Sequence, residues 1–455
     1  MDIKHKKVLV FGTGISGIAA TKLLQQVEAD ITIYDGNANL NKEDIAAKLP
    51  SNFNGNIILG ELPEDFIKQL DLVVLSPGVP TDLEIVNKMR DSQIPIWGEI
   101  ELAYYFSKGK IAAITGTNGK TTTTTLVGEI MKTYYNSVFV VGNIGVPYTD
   151  MVLNTTEDSI TVAEMSSFQL ETIHEFKPNI SAILNITPDH LNRHHTMEKY
   201  IEAKVNITLN QDKNDVCVLN YEDSILREVS KKLKTNVFFF SSLHSLDNGI
   251  YLEEENIYYS IDKKRTFICN IHELNIFGRH SYENVMAAVA IGISLGVPID
   301  CIRKAIINFV AVEHRIEFVT TKNGVKYYND SKGTNPDASM KAIESMETPT
   351  LLIAGGYDKG SEFDEWVEAF GDKIRYLVLL GQTRDKIAAT ARRHGFDNII
   401  MVESLLEAVE VCTEKANHGD SVLLSPACAS WGMFQNYEER GRLFKEYVRN
   451  LKNAD

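Results

Sequence analysis

Short apolar runs alternate with longer amphipathic stretches along the chain, and the first block of this pattern ends near residue 98. Its strand-like runs are KKVLVF, DITIYD, LDLVVLSPGVP and IPIWGEIEL, and the helix-like run IAATKLLQQ lies between the first two. Pro77 and Gly78 interrupt the third run. This alternation predicts a parallel sheet covered by helices.

A second block begins at GKIAAITGTNGK. Its strand candidates are SVFVVGNIG, SITVAEM and ISAILNI, and the charged helical segment TMEKYIEAKVNITLN follows them. Beyond about residue 215, the runs DVCVLN, NVFFFS and GIYLEEENIYYSI predict antiparallel strands. The block closes with an amphipathic helix, SYENVMAAVAIGISLGV, which has Gly296 near its C-terminal end.

The third block begins after HRIEFV and has the rhythm of βαβ units. Helix-like segments separate the strand candidates VKYYND, PTLLIAGG, RYLVLLG, NIIMV and DSVLLSPA. The sequence therefore predicts an α/β protein of three domains. These are a Rossmann-like N-terminal domain (1–98), a central P-loop ATPase-type domain with a mostly parallel sheet (99–311) and a Rossmann-like C-terminal domain (312–455).

Composition excludes several classes of partner. The 455 residues carry a formal net charge of -15, which disfavours nonspecific binding to nucleic acids or membrane surfaces, since both are polyanions. The longest weakly polar stretch, VMAAVAIGISLGV, is shorter than the ~20 residues of a membrane span. Five cysteines without a CxxC pair indicate reduced thiols, so we expect a cytoplasmic protein that binds neither nucleic acid nor membrane.

A GxGxxG motif lies between the first strand and the first helix. Residues 12–17 read GTGISG, and Asp35 ends the next strand. Glycines at such a turn let a pyrophosphate approach the helix N-terminus, and the acid can accept a ribose hydroxyl. Three interpretations stay open, namely NAD binding, a nucleotide that is not a redox cofactor, and a tight turn without a ligand.

The segment TGTNGKTT is a more specific phosphate-binding signal. It follows a strand and opens a helix, so the amide groups of its glycine-rich loop can hold phosphate oxygens. Lys120 would contact the terminal phosphates, and the Thr121 hydroxyl would help to bind Mg²⁺. The spacing differs from GxxxxGK[ST], because Ile114 stands where the first glycine is expected.

Acidic and imidazole side chains follow two further strands of this block. Glu164 ends SITVAEM, where a carboxylate can face the loop and bind a metal ion. Asp189 and His190 follow ISAILNI, at the edge of the sheet where ligands collect. We expect His194 and His195, which come next, to be exposed to solvent.

The ends of the predicted strands in the third block are also polar. The segment NDSKGTNP places Asp330, Lys332, Thr334 and Asn335 directly before a helix, an arrangement that suits an anionic substrate. Arg315, at the predicted domain junction, can bind a phosphate or carboxylate with two hydrogen bonds.

A phosphate-binding loop is compatible with a motor or switch, a kinase, or a ligase that activates a carboxylate for attack by an amine. Three domains favour the ligase, because one can hold ATP, one a nucleotide-linked acceptor and one the amine. Closure around the site would keep water from the acyl phosphate.

The chain resembles the Mur ligases of peptidoglycan synthesis over nearly its whole length. The resemblance is carried by AITGTNGKTTT, GNIG, EMSSFQL, TPDHLNRH, YIEAK, EHRIE, NDSKGTNP and SPACASWGMFQNYEERG, in the family's order. GTGISG, SPGVP, WGEIEL and SPACAS are most similar to the branch that adds D-glutamate. The resemblance implies an enzyme that joins D-glutamate to UDP-N-acetylmuramoyl-L-alanine with ATP, through an acyl phosphate. We expect this enzyme to be a monomer.

The resemblance also implies a role for individual residues. The uridine nucleotide, rather than NAD, would be bound by Ile15, Ser16, Asp35, Ser76, Pro77, Gly78 and Asn143. ATP would be bound by Gly116, Thr117, Asn118, Gly119, Lys120, Thr121, Thr122, Asn284, Arg315 and Asp330. Magnesium, as two ions, would be bound by Thr121, Glu164, His190 and Lys204. D-Glutamate would be bound by Lys332, Thr334, Lys359, Ser430, Trp431 and Tyr437. The catalytic residues would be Lys120, His190 and Lys204.

Lys204 would carry a carbamate, which turns a cation into an anion that can help to hold Mg²⁺. Such a lysine must first lose its proton, so its site has to lower the pKa. Other functions stay open on the sequence: a family member that adds a different amino acid, a folylpolyglutamate-type ligase, an NAD(P)-dependent oxidoreductase, and a P-loop binding module without catalysis.

Overall fold

The computed structural model describes residues 2–143, 145–276, 278–310 and 313–451, and for Asn192 the backbone alone. The chain forms two compact units. The first comprises Met1–Glu273 and Glu283–Ile307, and the second comprises Leu274–Tyr282 and Asn308–Asp455. The predicted boundary between residues 311 and 312 lies outside the described residues.

The first unit opens with a five-stranded parallel sheet in the order β3-β2-β1-β4-β5. Its strands are β1 (Lys7–Phe11), β2 (Asp30–Asp35), β3 (Asn56–Leu59), β4 (Leu72–Leu75) and β5 (Ile96–Gly98). Its helices are α1 (Ile15–Gln26), α2 (Lys42–Ala46), α3 (Glu64–Ile67), α4 (Glu84–Asp91) and α5 (Glu99–Phe106). The strand order reverses between β1 and β4, which opens a crevice at their carboxyl ends.

Two details of this sheet differ from the prediction. The short run NIIL forms β3, which the sequence pattern did not indicate. The run IPIWGEIEL is a strand only as far as Gly98, and α5 begins at Glu99. The buried Glu99 carboxylate accepts hydrogen bonds from the amide and hydroxyl of Thr149 at 2.8 and 3.0 Å, so the first residue of α5 is bonded to a segment distant in sequence.

A nine-stranded sheet follows in the same unit, in the order β14-β13-β12-β11-β10-β9-β6-β8-β7. Its strands are β6 (Lys110–Thr115), β7 (Val138–Gly142), β8 (Ile160–Glu164), β9 (Ile180–Ile183), β10 (Val216–Asn220), β11 (Asn236–Ser241), β12 (Gly249–Glu253), β13 (Asn256–Ile261) and β14 (Lys264–Asn270). The helices are α6 (Lys120–Lys132), α7 (Tyr148–Met151), α8 (Ser167–Leu170), α9 (Leu191–His194), α10 (Met197–Val205), α11 (Ser224–Ser230), α12 (Arg279–Ser294) and α13 (Ile299–Asn308), with 3₁₀ turns at Val152–Asn154, Asn206–Thr208 and Ile271–Glu273.

The prediction that the strands beyond residue 215 are antiparallel was wrong for the first two of them. β10 pairs in parallel with both β9 and β11, and β11 pairs in parallel with β12. The helix α11 lies between β10 and β11 and provides the crossover that a parallel pair requires. Among the described strands of this sheet, only the pairs β12–β13 and β13–β14 are antiparallel.

One apolar cluster is shared by both sheets of the first unit. It joins buried residues of the first sheet, such as Val8 and Ile33, to residues of the second, such as Ala163 and Leu219. Within the described ranges, no helix has both the length and the apolar character to cross a membrane.

The second unit contains a six-stranded sheet in the order β15-β16-β20-β17-β18-β19, parallel except for the pair β15–β16. Its strands are β15 (Glu317–Lys322), β16 (Val325–Asn329), β17 (Thr350–Ala354), β18 (Ile374–Leu379), β19 (Ile399–Met401) and β20 (Ser421–Leu424). Its helices are α14 (Pro336–Glu344), α15 (Asp364–Glu368), α16 (Arg384–Arg393), α17 (Leu405–Lys415) and α18 (Tyr437–Asn450). The predicted α/β class with mostly parallel sheets is confirmed.

Candidate active site

The loop between β6 and α6 has the geometry of a phosphate-binding loop. Gly119 adopts φ +83° directly before α6, and Gly116 adopts φ +156°. The Lys120 ammonium group folds back and donates to the carbonyl oxygens of Gly116 and Thr117 at 2.8 and 2.9 Å. The side chain of Asn185 accepts from the Asn118 amide at 2.8 Å, so the loop is braced from β9 as well. The helix N-terminus and the lysine together favour an anion here.

Lys204 lies in α10 and is almost completely buried. Its Nζ donates to the Gly116 carbonyl at 2.8 Å and lies 4.6 Å from the centre of the Tyr200 ring. The pKa of Lys204 is well below its usual range, mainly because the side chain is buried. The nearby charge of Lys120 lowers it further. The structure therefore places this lysine beside the phosphate-binding loop and away from solvent.

Glu164 ends β8 at the same edge of the sheet and is buried. Its Oε1 accepts a hydrogen bond from the Asn143 side-chain amide at 2.8 Å. Its Oε2 is buried and has no partner among the described residues. A buried carboxylate oxygen without a donor is costly, and a bound cation would remove that cost.

His190 has an unusual backbone conformation, φ +55°, at the N-terminus of α9. Its ring packs edge-on against Phe168 at 5.0 Å, and its Nε2 lies 3.6 Å from the Asp189 carboxylate. A non-glycine residue with positive φ is uncommon and indicates a functional or structural constraint.

The prediction that His194 is exposed was wrong. His194 is buried, its Nε2 lies 2.9 Å from the Ser167 hydroxyl, and its Nδ1 lies 3.3 Å from the Glu171 carboxylate. Burial lowers the pKa of His194 although Glu171 opposes that effect. Its neighbour His195 is exposed, as predicted.

A cavity of about 680 Å³ opens in the crevice beside β1 and β4. All seven residues that were predicted to bind the uridine nucleotide line it, namely Ile15, Ser16, Asp35, Ser76, Pro77, Gly78 and Asn143. The amide and hydroxyl of Thr13 donate to Asp35 Oδ2 at 3.3 and 2.9 Å, which orients that carboxylate at the cavity wall. The structure thus brings these residues together from both sheets of the first unit.

Asn284, in α12, lies directly against the phosphate-binding loop. Its Oδ1 accepts from the Thr123 hydroxyl at 3.3 Å, and a Cβ at Gly119 would lie only 2.2 Å from that same oxygen. The structure places this residue beside α6, and its contact with ATP stays a prediction.

In the second unit, Asp330 is buried just after β16. Its Oδ2 accepts from the Ser425 hydroxyl at 2.7 Å and its Oδ1 from the Ile316 amide at 3.3 Å. Burial raises the pKa of Asp330 to about 7, although the Ser425 hydrogen bond and the charge of Arg315 work in the other direction. The Nε of Arg315 is itself buried and has no partner among the described residues.

Lys332 and Tyr437, two of the predicted D-glutamate residues, are in contact. The Lys332 ammonium lies 5.2 Å from the centre of the Tyr437 ring, which is within range of a cation–π interaction. Buried Arg440, in the first turn of α18, donates to the hydroxyl and carbonyl of Ser331 at 3.0 and 2.8 Å and to the Cys428 carbonyl at 3.2 Å. This guanidinium therefore ties the loop after β16 to the loop after β20.

The other predicted D-glutamate residues lie on three loops of the same sheet. Ser430 is buried after β20, whereas the neighbouring Trp431 is 56% exposed with its ring 5.6 Å from Tyr357. Lys359 follows β17. Burial raises the pKa of the Cys428 thiol to about 11, and the nearby charge of Lys359 opposes part of that rise. The Thr334 amide donates to the Lys332 carbonyl at 2.8 Å, which forms a tight turn before α14.

Sequence reasoning missed several residues that the structure places in or around these sites. They are Thr13, Glu171, Arg193, Ser425 and Arg440. Each contacts a residue distant in sequence. Four of them lie within quoted motifs, namely Thr13, Arg193, Ser425 and Arg440, but those contacts could not be predicted from the motifs.

Three family models match consecutive parts of the chain. The "Mur ligase MurD-like, N-terminal domain" matches residues 6–98, the "Mur ligase middle domain" matches 114–292, and the "Mur ligase, glutamate ligase domain" matches 314–428. Together they match well over half of the chain.

Similar proteins and structures agree with this assignment. The chain is 65% identical to the UDP-N-acetylmuramoylalanine–D-glutamate ligase of Lachnoclostridium phytofermentans, over 100% of both chains. It is 48% identical to the ligase of the same name from Clostridioides difficile, over 99% of this chain and 100% of that one. The fold is shared with MurC from Thermotoga maritima (TM-score 0.60, 21% identity, 98% of this chain and 100% of that one). It is also shared with MurF from the same organism in complex with ADP (TM-score 0.60, 17% identity, 98% and 96%). On this evidence the chain belongs to the Mur ligase family.

Proposed function

We propose that the protein is an ATP-dependent ligase that adds D-glutamate to UDP-N-acetylmuramoyl-L-alanine in the cytoplasmic synthesis of peptidoglycan precursors. The observation that carries the proposal is the 65% identity, over the full length of both chains, to a ligase named for this reaction. The geometry supports it, because a nucleotide-sized cavity and a phosphate-binding loop lie in one compact unit.

The reaction forms an amide in two steps. A carboxylate oxygen of the alanyl group attacks the γ-phosphorus of ATP, the bond to the bridging oxygen breaks, and ADP leaves. The nitrogen of D-glutamate then attacks the acyl carbon, and inorganic phosphate leaves with the carboxylate oxygen. The amine must lose a proton before or during this attack.

In the first unit, we assign the uridine nucleotide to the cavity and ATP to the loop at residues 116–122. Asp35, held by Thr13, would accept from the nucleotide, and Ile15, 78% exposed, offers apolar surface at the cavity wall. On ATP binding, Lys120 would exchange its two carbonyl partners for phosphate oxygens. Asn284, which touches α6, would contact the adenine.

The residues at the end of β8 fit magnesium. The orphaned Oε2 of buried Glu164 offers a hard anionic ligand, which is the type that Mg²⁺ prefers. Thr121, Glu164, His190 and carbamylated Lys204 would hold two ions, which would neutralise charge on the phosphates.

Carbamylation of Lys204 is supported by its surroundings. Only a neutral amine can attack CO₂, and burial next to Lys120 lowers the pKa of this amine. The nitrogen–carbon bond forms as the amine loses a proton, and the product is an anion. The change replaces the repulsion between two lysines with an attraction.

In the second unit, we assign Arg315 and Asp330 to ATP. D-Glutamate is assigned to Lys332, Thr334, Lys359, Ser430, Trp431 and Tyr437. Two lysines among these residues suit a substrate with two carboxylates. We keep the boundaries 1–98, 99–311 and 312–455 for the uridine, ATP and amino-acid domains. We also propose that the enzyme acts as a monomer.

A panel of amino acids tests the proposal. Purified protein is incubated with UDP-N-acetylmuramoyl-L-alanine, ATP and Mg²⁺, and phosphate release is measured with each amino acid in turn. We expect release with D-glutamate and almost none with L-glutamate, glycine or L-alanine. Release with UDP-N-acetylmuramate and L-alanine, or with a folate and L-glutamate, would overturn the substrate assignment in favour of a related ligase.

Two further outcomes separate this proposal from functions of other classes. Tight binding of NADH that competes with UDP would favour an oxidoreductase. Turnover that is unchanged in the Lys120→Ala variant would favour a P-loop module that does not use the phosphate. For the ligase, an oxygen-18 label on the alanyl carboxylate must appear in the released phosphate.

A further inference from the structure

Arg193 connects the nucleotide cavity with the helix that carries His190. Its Nη2 donates to the main-chain carbonyl of Val79 at 3.1 Å and to Glu171 Oε2 at 2.8 Å. Val79 lines the cavity, in the loop that follows β4. Arg193 lies in α9, three residues after His190. One guanidinium therefore contacts both the wall of the cavity and a half-buried acid of the nine-stranded sheet domain.

Glu171 is the acceptor at the centre of this connection. Its Oε2 also lies 3.4 Å from the Thr81 hydroxyl, which belongs to the same loop as Val79, and its Oε1 lies 3.3 Å from His194 Nδ1. Only 14% of the Arg193 side chain and 15% of the Glu171 side chain are exposed, so solvent screens their attraction little.

The same residues reach the phosphate-binding loop through packed rings. Phe168 contacts both the Arg193 guanidinium, at 5.1 Å, and the His190 ring, at 5.0 Å. On the other side, His194 packs 5.1 Å from the ring of Tyr200. The Tyr200 hydroxyl lies 3.1 Å from the hydroxyl of Thr117, in the phosphate-binding loop. Hydrogen bonds and ring contacts thus form an unbroken path from Val79 to Thr117.

We propose that Arg193 and Glu171 are positioning residues that couple ligand binding in the cavity to ligand binding at the phosphate-binding loop. The proposal rests on the proposed function, which assigns the nucleotide sugar to the cavity and Mg·ATP to the loop. A ligand against Ser76–Gly78 restricts the main chain at Val79. That restriction holds Arg193 in place, and with it α9 and His190. The first ligand to bind orders these groups. The second ligand then binds with a smaller loss of conformational entropy, because the groups are already ordered.

The coupling must act equally in both directions. If the nucleotide sugar tightens the binding of Mg·ADP by a given factor, Mg·ADP must tighten the binding of the nucleotide sugar by the same factor. This requirement gives a readout that a purely structural role would not change. A residue needed only for stability would lower the melting temperature, or weaken each ligand separately, and would leave the coupling factor intact.

A second link between the same two segments provides a matched control. His195 Nε2 lies 3.3 Å from Asp82 Oδ2, but the two side chains are 56% and 65% exposed. Exposed ion pairs of this kind contribute little, because water and salt screen them. Asp82→Asn removes this link without touching Arg193 or Glu171.

The experiment is calorimetric titration of the full-length protein with UDP-N-acetylmuramoyl-L-alanine, with and without saturating Mg·ADP, and the reverse titration. We expect each ligand to tighten the other about 5- to 10-fold in the unmodified protein, within the usual range for coupled sites. Glu171→Gln, which is nearly isosteric, and Arg193→Met should bring this factor below about 2 while each ligand alone binds within about 3-fold of the original. Arg193→Lys should retain an intermediate factor, because an ammonium keeps the charge but lacks the planar fork.

Circular dichroism and thermal melting identify variants that fail to fold. Arg193→Met removes the cationic partner of half-buried Glu171 and leaves it with Thr81 and His194. If this variant does not fold, Glu171→Gln and Arg193→Lys decide the question. A coupling factor that equals the original in these folded variants would overturn the proposal, as would its loss in Asp82→Asn. An original protein that binds both ligands without coupling would overturn the inference and leave the proposed function standing. No binding of the nucleotide sugar at all would overturn both.

Discussion

Lys204 and Lys120 donate to the same carbonyl oxygen, that of Gly116, each at 2.8 Å. Two ammonium groups that share one acceptor repel each other, and water does not screen Lys204 because it is buried. The free energy of such a pair is lowered most when the buried lysine is neutral. A buried amine whose pKa is well below its usual range therefore lies beside the phosphate-binding loop.

We predict that activity depends on CO₂ through Lys204. Turnover should fall in buffers stripped of CO₂ and recover when bicarbonate is added. A carbamate signal should appear in the NMR spectrum of protein equilibrated with carbon-13-labelled bicarbonate. Lys204→Met should lower kcat on the order of 100-fold, because it removes an anion that supports charge neutralisation at the phosphates.

Lys199 is the control for this prediction, since it lies in the same helix and is exposed. Lys199→Met should keep both the activity and the labelled signal. A labelled signal of unchanged size in Lys204→Met would show that another lysine carries the modification.

We predict that Gly119→Ala weakens both folding and ATP binding. The residue has φ +83°, which costs an alanine about 1–2 kcal/mol, and the new Cβ would lie 2.2 Å from Asn284 Oδ1. Thermal melting and the KM for ATP measure the two effects. The double variant Gly119→Ala/Asn284→Ala removes the clash but keeps the backbone strain, so its melting temperature should recover in part. No recovery would mean that the strain alone is responsible.

We predict that Asp330 makes the free energy of unfolding depend on pH between about 4 and 7. In the folded protein, burial raises the pKa of this carboxyl to about 7, whereas the unfolded chain releases the proton near 4. The folded state therefore holds one more proton in this window, and stability falls as pH rises, by up to about 1.4 kcal/mol per pH unit. Denaturant titrations of the protein without ligands should show this slope, and Asp330→Asn should remove it.

Ser425→Ala provides the second arm of the Asp330 experiment. Its hydroxyl donates to Asp330 and favours the ionised form, so its loss should move the upper end of the window to higher pH. A slope that persists in Asp330→Asn would have to come from other carboxyls or histidines.

We predict that Thr13→Val raises the KM for the nucleotide sugar about 5-fold, the effect of losing a hydrogen bond worth ~1 kcal/mol. The Thr13 hydroxyl donates to Asp35 at 2.9 Å, and valine keeps its shape but not the donor. Because this contact is remote from the reacting carboxylate, kcat should change little. Thr21→Val is the control, since that hydroxyl donates only to the Gly17 carbonyl within α1. A large fall in kcat with an unchanged KM would contradict a role in nucleotide binding.

Much of the nucleotide cavity could be predicted from sequence, because parallel strands bring their carboxyl ends to one edge of a sheet. Motifs after β1, β2 and β4 therefore meet at one place, and so do Asp35 and Ser76. The turn at Gly119 could also be predicted from sequence. A glycine directly before a helix that begins with Lys120 indicates a residue with positive φ and an anion-binding site.

Other features could not be predicted, because they depend on contacts between distant segments. The burial of His194 follows from Ser167 and Glu171, which precede it by more than 20 residues. The direction of β10 and β11 was missed because apolar runs of five or six residues contain no information on orientation. The low pKa of Lys204 likewise arises from its environment, and its sequence neighbours do not indicate it.

The apolar cluster that joins the five-stranded and nine-stranded sheets bears on how the enzyme folds. Val8 and Ile33 share it with Ala163 and Leu219, so within the described residues the five-stranded sheet has no separate core on that side. A shortened chain starting at residue 99 would uncover that surface and should aggregate instead of folding. The first unit should then melt in a single cooperative transition, with the nucleotide cavity and the phosphate-binding loop gained and lost together during biosynthesis and heat denaturation.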